Sequence, residues 1–113
     1  MPDQPGQELA AGPAPQVEIE VVAWVTKFVG GDGSSRKVYS DALQAGDTVR
    51  TVLRRLSKKH PQLHKALWDP HSGDLGEHIE VLINDAVLGL SHELDSPLQA
   101  QDKLALIGQY LGG

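Results

Sequence analysis

The chain has 113 residues, which is enough for one small domain and leaves no room for a second. Hydrophobic residues make up 40% of it and aromatic residues only 4%, so we expect a packed core built from aliphatic side chains. Cysteine is absent, which excludes disulfides, thiolate zinc sites and a cysteine nucleophile on this chain.

Charge is distributed unevenly along the chain. The formal net charge of −5 disfavours a general DNA-coating role. Residues 36–65 carry eight basic and two acidic side chains, whereas residues 66–113 carry one basic and eight acidic side chains, so we expect an electrically polar molecule. No stretch is apolar for the length of a membrane span, and residues 1–16 lack the parts of a secretion signal. We expect a cytoplasmic protein without membrane partners.

The first part of the chain predicts a leader followed by a β-hairpin. Residues 1–16 contain four of the seven prolines and little to bury, which predicts a disordered leader. Residues 17–29 begin with alternating apolar and acidic side chains, as expected for a half-buried strand. The glycine-rich residues 30–33 then predict a turn into a second strand at residues 36–43.

An amphipathic helix is predicted after Gly46. Its apolar positions recur at helical spacing, at Val49, Val52, Leu53 and Leu56. Asp47 or Thr48 can cap its N-terminus, and Pro61 discourages its continuation. The apolar residues among residues 63–67 predict a further short helical turn.

Three more strand segments are predicted in the second half of the chain. Residues 78–84 alternate in the manner of a strand, residues 87–88 form a short edge piece, and residues 103–107 form the last strand. Turns are expected between them. The resulting order of elements predicts an α+β sandwich, in which one main helix lies across a sheet of four to five strands.

Several motifs occur in a fixed order along this part of the chain. Residues 79–87 contain an apolar strand that ends in Asn-Asp, residues 94–98 read Leu-Asp-Ser-Pro-Leu, residues 101–107 place a short acidic turn before an apolar strand, and residues 112–113 are Gly-Gly. Together with Gly-Asp-Thr-Val at residues 46–49, this order resembles the MoaD/ThiS family of sulfur-carrier proteins.

The resemblance implies a fold and a division of the chain. The fold is the β-grasp, or ubiquitin-like, roll, formed here by residues 17–107, with a flexible diglycine tail at residues 108–113. Two departures from the family pattern stand out. Asp85 lies where the family usually has glycine, which predicts a different turn geometry, and the bulky Leu111 precedes the terminal glycines.

The chemistry implied by the resemblance takes place at the C-terminal carboxylate of Gly113. An adenylyltransferase similar to ubiquitin-activating enzyme uses ATP and magnesium to convert it to an acyl-adenylate, and sulfur from a sulfurtransferase or cysteine desulfurase converts that to a thiocarboxylate. Tyr110, Leu111 and Gly112 would thread into the partner. The chain itself would bind no cofactor or metal and would not be an enzyme, although it could be the small subunit of a synthase such as molybdopterin synthase.

A docking surface is predicted on the sheet face opposite the helix. On the first strand, Val22, Trp24 and Phe28 have the outward parity, and Leu82 has it on the third strand. We expect these four side chains to form a partner-binding surface.

Other kinds of site receive little support. His60 and His64 are four residues apart, with His71 and His78 further along, but Pro61 separates the first pair, so we predict no metal site. The basic helix lacks the interleaved aromatic residues of a nucleic-acid surface, and we favour an acidic protein partner over nucleic acid. Hydrolase and nucleotide-binding motifs are absent from the sequence.

Three functions remain open at this point. The first is a sulfur carrier that serves an acceptor enzyme, such as the large subunit of a synthase, in the biosynthesis of a cofactor, cysteine or thiolated tRNA. The second is a ubiquitin-like modifier whose Gly113 forms isopeptide bonds with lysines. The third is an inert β-grasp interaction module.

Overall fold

The computed structural model describes residues 14–108. The elements in chain order are β1 (Gln16–Val22), a 3₁₀ helix (Ala23–Val29), β2 (Arg36–Ala42), α1 (Val49–Lys58), α2 (Pro61–Leu67), β3 (Ile79–Ile83), β4 (Ala86–Val87) and β5 (Lys103–Gly108). Most of the predicted leader and tail therefore lies outside the described residues. The two strand ends, Gln16 and Gly108, extend the predicted domain by one residue on each side.

The five strands form one mixed sheet in the order β2-β1-β5-β3-β4. β1 and β2 form the antiparallel hairpin, and β5 lies in the centre, parallel to β1 and antiparallel to β3. The helices cover one face of this sheet, where the core lies. This topology is the β-grasp roll, and the predicted fold is confirmed.

The first strand is shorter than predicted. It ends at Val22, and Ala23 adopts a left-handed backbone conformation with φ of 57° that starts the 3₁₀ helix. The fully buried Thr26 holds this segment, because its hydroxyl donates to the carbonyl of Ala23 at 2.8 Å and accepts from the backbone of Gly33 at 2.9 Å. The single strand predicted for residues 17–29 is therefore wrong after residue 22.

The main helix begins where the sequence predicts. Thr48 is the N-cap, and its hydroxyl accepts from the backbone N–H of Thr51 at 3.2 Å, while the Thr51 hydroxyl accepts from the backbone N–H of Thr48 at 2.8 Å. These two bonds satisfy donors that the helix itself leaves unpaired. The short turn predicted near residue 63 is α2, which starts with Pro61.

The core is aliphatic, as the composition predicts. It lies between the inner sheet face and the helices, and its largest buried side chains include Ile19, Leu53, Leu63, Leu67, Ile83, Leu104 and Leu106. Trp68 is also buried, and its indole N–H donates to Ser57 at 3.0 Å. Within residues 14–108, no helix is long and apolar enough to cross a membrane.

The turn between β3 and β4 keeps the tight geometry of a two-residue hairpin. Asn84 and Asp85 have φ of 52° and 71°, so both central residues are left-handed, as an Asn-Gly turn of this type requires. The different geometry expected from Asp85 is therefore not observed. Asn84 anchors the turn, because its side-chain amide donates to Asp102 at 3.0 Å and its side-chain carbonyl accepts from the backbone of Lys103 at 3.0 Å.

Candidate functional site

The last described residue, Gly108, ends the central strand of the sheet. It pairs with Ile79 of β3 and is buried. Gly108 therefore belongs to β5, one residue beyond the predicted end of the β-grasp domain, and the tail at the residues that follow stays a prediction. The residues predicted to carry the chemistry are Tyr110, Leu111, Gly112 and Gly113, and they lie outside the described residues.

Trp24 packs against the backbone at this point. A Cβ atom built on Gly108 would overlap the indole ring of Trp24, so the ring occupies the space that a side chain would need. Leu104 and Leu106, which share the parity of Gly108, are buried against the helices, so the indole lies on the core side of β5. Trp24 also contacts Phe28 edge-to-face, with ring centroids 5.8 Å apart.

The structure thus corrects half of the predicted docking surface. Trp24 and Phe28 belong to the 3₁₀ helix and pack against the core as partly buried residues, because β1 ends before them. They do not share the outer sheet face. Their predicted contact with a partner remains a prediction, and the structure gives them a place at the end of β5.

The other half of the predicted surface is on the outer face. Val22 and Leu82 alternate with buried neighbours and are half-buried on the side away from the helices. Leu82 lies opposite Ala105 of β5 and Val87 of β4, and Ile107 lies opposite Glu80 of β3. Ile107 is 36% exposed and Val87 is 39% exposed. The outer face therefore carries an apolar patch formed by Val22, Leu82, Val87, Ala105 and Ile107.

Three residues of this patch, Ile107, Ala105 and Val87, are not among those predicted for the docking surface. The alternation of β5 was visible in the sequence and could have identified Ile107 and Ala105. Their contact with Leu82 depends on the strand order, which places β5 between β1 and β3. The patch includes residues of β5, and β5 is the strand that directly precedes the predicted tail. We call it the outer patch below.

An ion-pair network centred on Asp47 and Arg55 lies away from the outer patch and is structural. Hydrogen bonds from the Arg55 guanidinium hold the pKa of the Asp47 carboxyl far below its usual range, despite the opposing effect of burial. The same carboxylate accepts from the backbone of Gln44 and from Thr51, both at 2.8 Å. Arg55 also contacts Asp41 at 2.9 Å. Each of these charged groups has its hydrogen-bonding partners within the network, which ties the loop before α1 to the helix. The lowered pKa of Asp47 is therefore explained by this network and does not indicate a catalytic role.

The basic helix is partly neutralised within the molecule. Arg50 contacts Asp95 at 2.7 Å and Asp74 at 3.0 Å, and Arg54 lies over the ring of Trp68 at 4.1 Å. Lys58 and Lys59, near the end of α1, form no ion pair with another of the described residues. Between residues 14 and 108, no three histidine or acidic side chains group as metal ligands.

The fold and this site define a class of protein. A central β5 that runs parallel to β1, one main helix across the sheet and an apolar outer patch are features of ubiquitin-like β-grasp proteins. Comparison with protein-family models narrows the class, because residues 19–113 match the model of the ThiS family. The chain belongs to the ThiS family, and the predicted MoaD/ThiS relationship is confirmed. Proteins of this family are small carriers and modifiers that work with adenylating and sulfur-transfer partners.

Solved structures agree with this assignment. The crystal structure of small archaeal modifier protein 1 from Haloferax volcanii is 26% identical, covers 87% of this chain and 99% of its own, and superposes with a TM-score of 0.68. The same modifier from Methanosarcina acetivorans is 21% identical over 90% of this chain and 100% of its own, with a TM-score of 0.67. CysO, an antigen from Mycobacterium tuberculosis, is 21% identical over 83% of this chain and 99% of its own, with a TM-score of 0.62. The last two similarities show the fold alone. A comparison with curated protein sequences gave no match.

Proposed function

We propose that this chain is a sulfur carrier whose reactive group is the terminal carboxylate of Gly113. Membership of the ThiS family is the observation that carries the proposal, because the family match extends to residue 113. The chain acts as a co-substrate in the cytoplasm. Activation requires ATP and magnesium, which the adenylating partner binds, and this chain contributes the carboxylate and the surfaces that the partner recognises.

The position of β5 supports this proposal. Gly108 ends the central strand, and Gly113 follows five residues later. At about 3.3 Å per residue, an extended segment of that length reaches ~17 Å from the end of the sheet, which suffices to enter the active site of another protein. Tyr110, Leu111 and Gly112 belong to this segment, and the absence of side chains on Gly112 and Gly113 suits a narrow channel in the partner.

The proposed reaction has two displacements. The Gly113 carboxylate attacks the α-phosphorus of ATP, and pyrophosphate leaves to give the acyl-adenylate. Hydrosulfide then attacks the acyl carbon, AMP leaves, and the product is the thiocarboxylate. With a persulfide donor, the first product is an acyl disulfide, from which a second thiol releases the thiocarboxylate by reducing the S–S bond. An acceptor enzyme then takes the sulfur.

The outer patch is the proposed docking surface for the adenylating enzyme. It lies on the strand that leads to the tail, so a partner that covers Leu82 and Ile107 also receives the residues that follow Gly108. Trp24 and Phe28 support the same strand from the core side. Exposed apolar side chains in one patch are typical of a binding surface on a small domain.

A protein-modifier function is the second candidate. The specific observation in its favour is the 26% identity to a protein whose structure is described as a small archaeal modifier protein. The activation step is the same, and an amine in place of sulfur would attack the acyl-adenylate or a later acyl intermediate. The product would be an isopeptide between Gly113 and a lysine of another protein.

Intact-mass measurement separates these functions. The full chain is first weighed alone to establish that the mature protein ends at Gly113, and then incubated with its adenylating enzyme, ATP, magnesium and sulfide. A mass gain equal to the exchange of oxygen for sulfur supports the carrier, and heavier protein conjugates support the modifier. The chain lacking Gly113 is the control and should show neither change. If the full chain also stays unchanged, the inert interaction module is the better description.

A further inference from the structure

The sheet has two edges that differ greatly in length. β4 forms one edge and has only two residues, which is a common way of protecting a sheet edge from further pairing. β2 forms the other edge and has seven residues, Arg36–Ala42. Its register with β1 is continuous from one end to the other, without a bulge, and it contains no proline. β2 is therefore a long and regular edge strand.

The hydrogen-bonding pattern identifies which groups of β2 face away from the sheet. Leu43 donates to Pro15 at 3.0 Å, and Ala23 donates to Ser35 at 2.9 Å, at opposite ends of the hairpin. Hydrogen-bonded and non-hydrogen-bonded pairs alternate along an antiparallel hairpin, so these two bonds fix which pairs of β1 and β2 are bonded. Val38 and Ser40 belong to non-hydrogen-bonded pairs. Their main-chain N–H and C=O groups point to the free edge, and within residues 14–108 nothing hydrogen-bonds to them.

A groove follows this edge on the side of the helices. It contains a cavity of about 260 Å³ between β2 and the α1–α2 corner, with an apolar wall formed by Ile19, Leu56 and the ring of Tyr39. The Tyr39 ring contacts the ring of His60, with centroids 5.7 Å apart. The groove thus offers a place for an apolar side chain directly beside the unpaired main chain.

The charges around the groove are mainly positive. Lys59 lines it, and Lys37 lies on the same face of β2 as Tyr39. Neither lysine forms an ion pair with a residue in the described part of the chain. The one carboxylate in the lining is that of Asp41, which the Arg55 guanidinium contacts at 2.9 Å, whereas Lys59 and Lys37 both lie beside the groove unpaired within residues 14–108. An acidic ligand would therefore meet uncompensated positive charge.

We propose that the edge of β2 binds an extended, acidic segment of a partner protein as an additional strand. Main-chain hydrogen bonds to Val38 and Ser40 hold the segment, and alternate side chains of the segment enter the groove beside Tyr39. Acidic residues of the segment lie close to Lys59 and Lys37. This site is separate from the outer patch, because β1 lies between β2 and β5. A partner bound here leaves β5 and the residues after it accessible, and the inference does not depend on chemistry at Gly113.

The first experiment tests binding and its location. The ¹⁵N-labelled full chain is titrated with a capped peptide of alternating valine and threonine flanked by aspartates, and amide exchange and chemical shifts are measured residue by residue. We expect slowed exchange and shifted signals at Val38 and Ser40. A peptide with the same centre flanked by lysines, and one with a proline in the centre, should each bind at least ~tenfold more weakly, which corresponds to about 1.4 kcal/mol.

Variants of the chain then test the two parts of the site. Val38→Pro removes an N–H that the hairpin does not use and should abolish peptide binding, while Val38→Thr keeps the N–H and should bind within about twofold of the wild type. Lys59→Glu tests the charge without touching the strand and should weaken binding at least ~tenfold. Circular dichroism verifies that each variant is folded.

Other occupants of the edge would overturn the proposal. If the amides of Val38 and Ser40 are protected in the free chain and lose protection when residues 1–13 are deleted, the edge is covered by the chain's own N-terminal segment. If protection is lost on dilution, the edge joins two copies of the chain. Peptide-induced shifts centred on Leu82 and Ile107, or no binding at millimolar peptide, would also contradict it.

Discussion

The indole of Trp24 lies against the backbone of Gly108 so closely that no side chain fits at position 108. One residue comes from the 3₁₀ helix and the other ends the central strand, so this contact locks the segment after β1 to the end of β5. The predicted tail follows directly. The contact therefore fixes the position of Gly108, the residue that directly precedes residues 109–113.

We expect Gly108→Ala to destabilise the protein by ~1–3 kcal/mol, because the added methyl group must displace the Trp24 ring from a packed position. Gly108 does not have a positive φ, so the effect is steric and not a consequence of backbone strain. Chemical denaturation followed by Trp fluorescence measures it. Gly76→Ala is the matched control, since a Cβ at Gly76 would have its nearest neighbour at 3.7 Å. It should change stability by less than ~0.5 kcal/mol, and equal effects of the two substitutions would contradict the role of the contact.

The outer patch leads to a prediction about partner binding. Ile107→Lys should weaken binding to the adenylating enzyme at least ~tenfold, or about 1.4 kcal/mol, because it places a charge in the centre of the proposed interface. It should leave the fold intact, since position 107 faces away from the core and lies opposite Glu80. Binding is measured by calorimetry with the unmodified enzyme.

Leu90→Lys provides the control for this substitution. Leu90 is 79% exposed and lies in the loop after β4, outside the outer patch. The same change of side chain at this position should alter affinity less than about twofold. An Ile107→Lys protein that binds as well as the wild type would mean that the adenylating enzyme uses another surface.

Much of the fold could be predicted because short-range periodicity carries the information. The alternation of Val17, Ile19 and Val21 identified the core side of β1, and helical spacing identified Leu53, which is fully buried. Each position on such a strand or helix faces either the core or the solvent, so the alternation of apolar and polar residues reflects these two environments directly. Periodicity alone does not predict that the last strand lies beside the first. That prediction also required the family resemblance.

The pattern failed at Trp24 because the decisive interactions are not local. The alternation of apolar side chains continues past Val21 at Ala23 and Val25, so periodicity alone extends the strand. The chain turns because Ala23 is left-handed and because Thr26 hydrogen-bonds to Gly33, seven residues away. The ion pairs of Arg50 with Asp74 and Asp95 likewise join distant parts of the chain and could not be read from spacing.

The turn between β3 and β4 offers a stabilising substitution. Asp85 has φ of 71°, a left-handed conformation that costs free energy for a residue with a side chain but is readily adopted by glycine. Asp85→Gly should therefore raise the free energy of unfolding by up to ~1 kcal/mol, measured by urea denaturation.

Asn84→Gly is the informative comparison, because Asn84 has the same kind of backbone conformation but also anchors the turn. Its side chain makes two hydrogen bonds, to Asp102 and to the backbone of Lys103. Their loss, at ~0.5–1.5 kcal/mol each, should outweigh the relief of backbone strain, so this variant should be less stable than the wild type. Changes of the same sign in both variants would contradict this account of the turn.

The Asp47–Arg55 pair predicts how stability depends on pH. Hydrogen bonding from Arg55 lowers the pKa of Asp47 in the folded state, so its contribution is fully present above the pKa of an unfolded aspartate, near 3.8. The contribution declines as the pH falls below that value towards the folded-state pKa. Asp47→Asn should cost ~1–3 kcal/mol at pH 7, because it leaves the partly buried guanidinium of Arg55 with one carboxylate fewer. The difference between the two proteins should stay constant from pH 7 to about pH 5 and shrink below about pH 4.

Urea denaturation at several pH values measures this difference, and Asp95→Asn is the control. Asp95 also pairs with Arg50, and the hydrogen bond lowers its pKa, but its side chain is 68% exposed, so solvent screens the interaction. Its substitution should hardly change stability at any pH. A difference between wild type and Asp47→Asn that stayed the same down to pH 2 would show that the charge of Asp47 does not stabilise the fold, and that its hydrogen bonds to Gln44 and Thr51, which an asparagine partly retains, account for its burial.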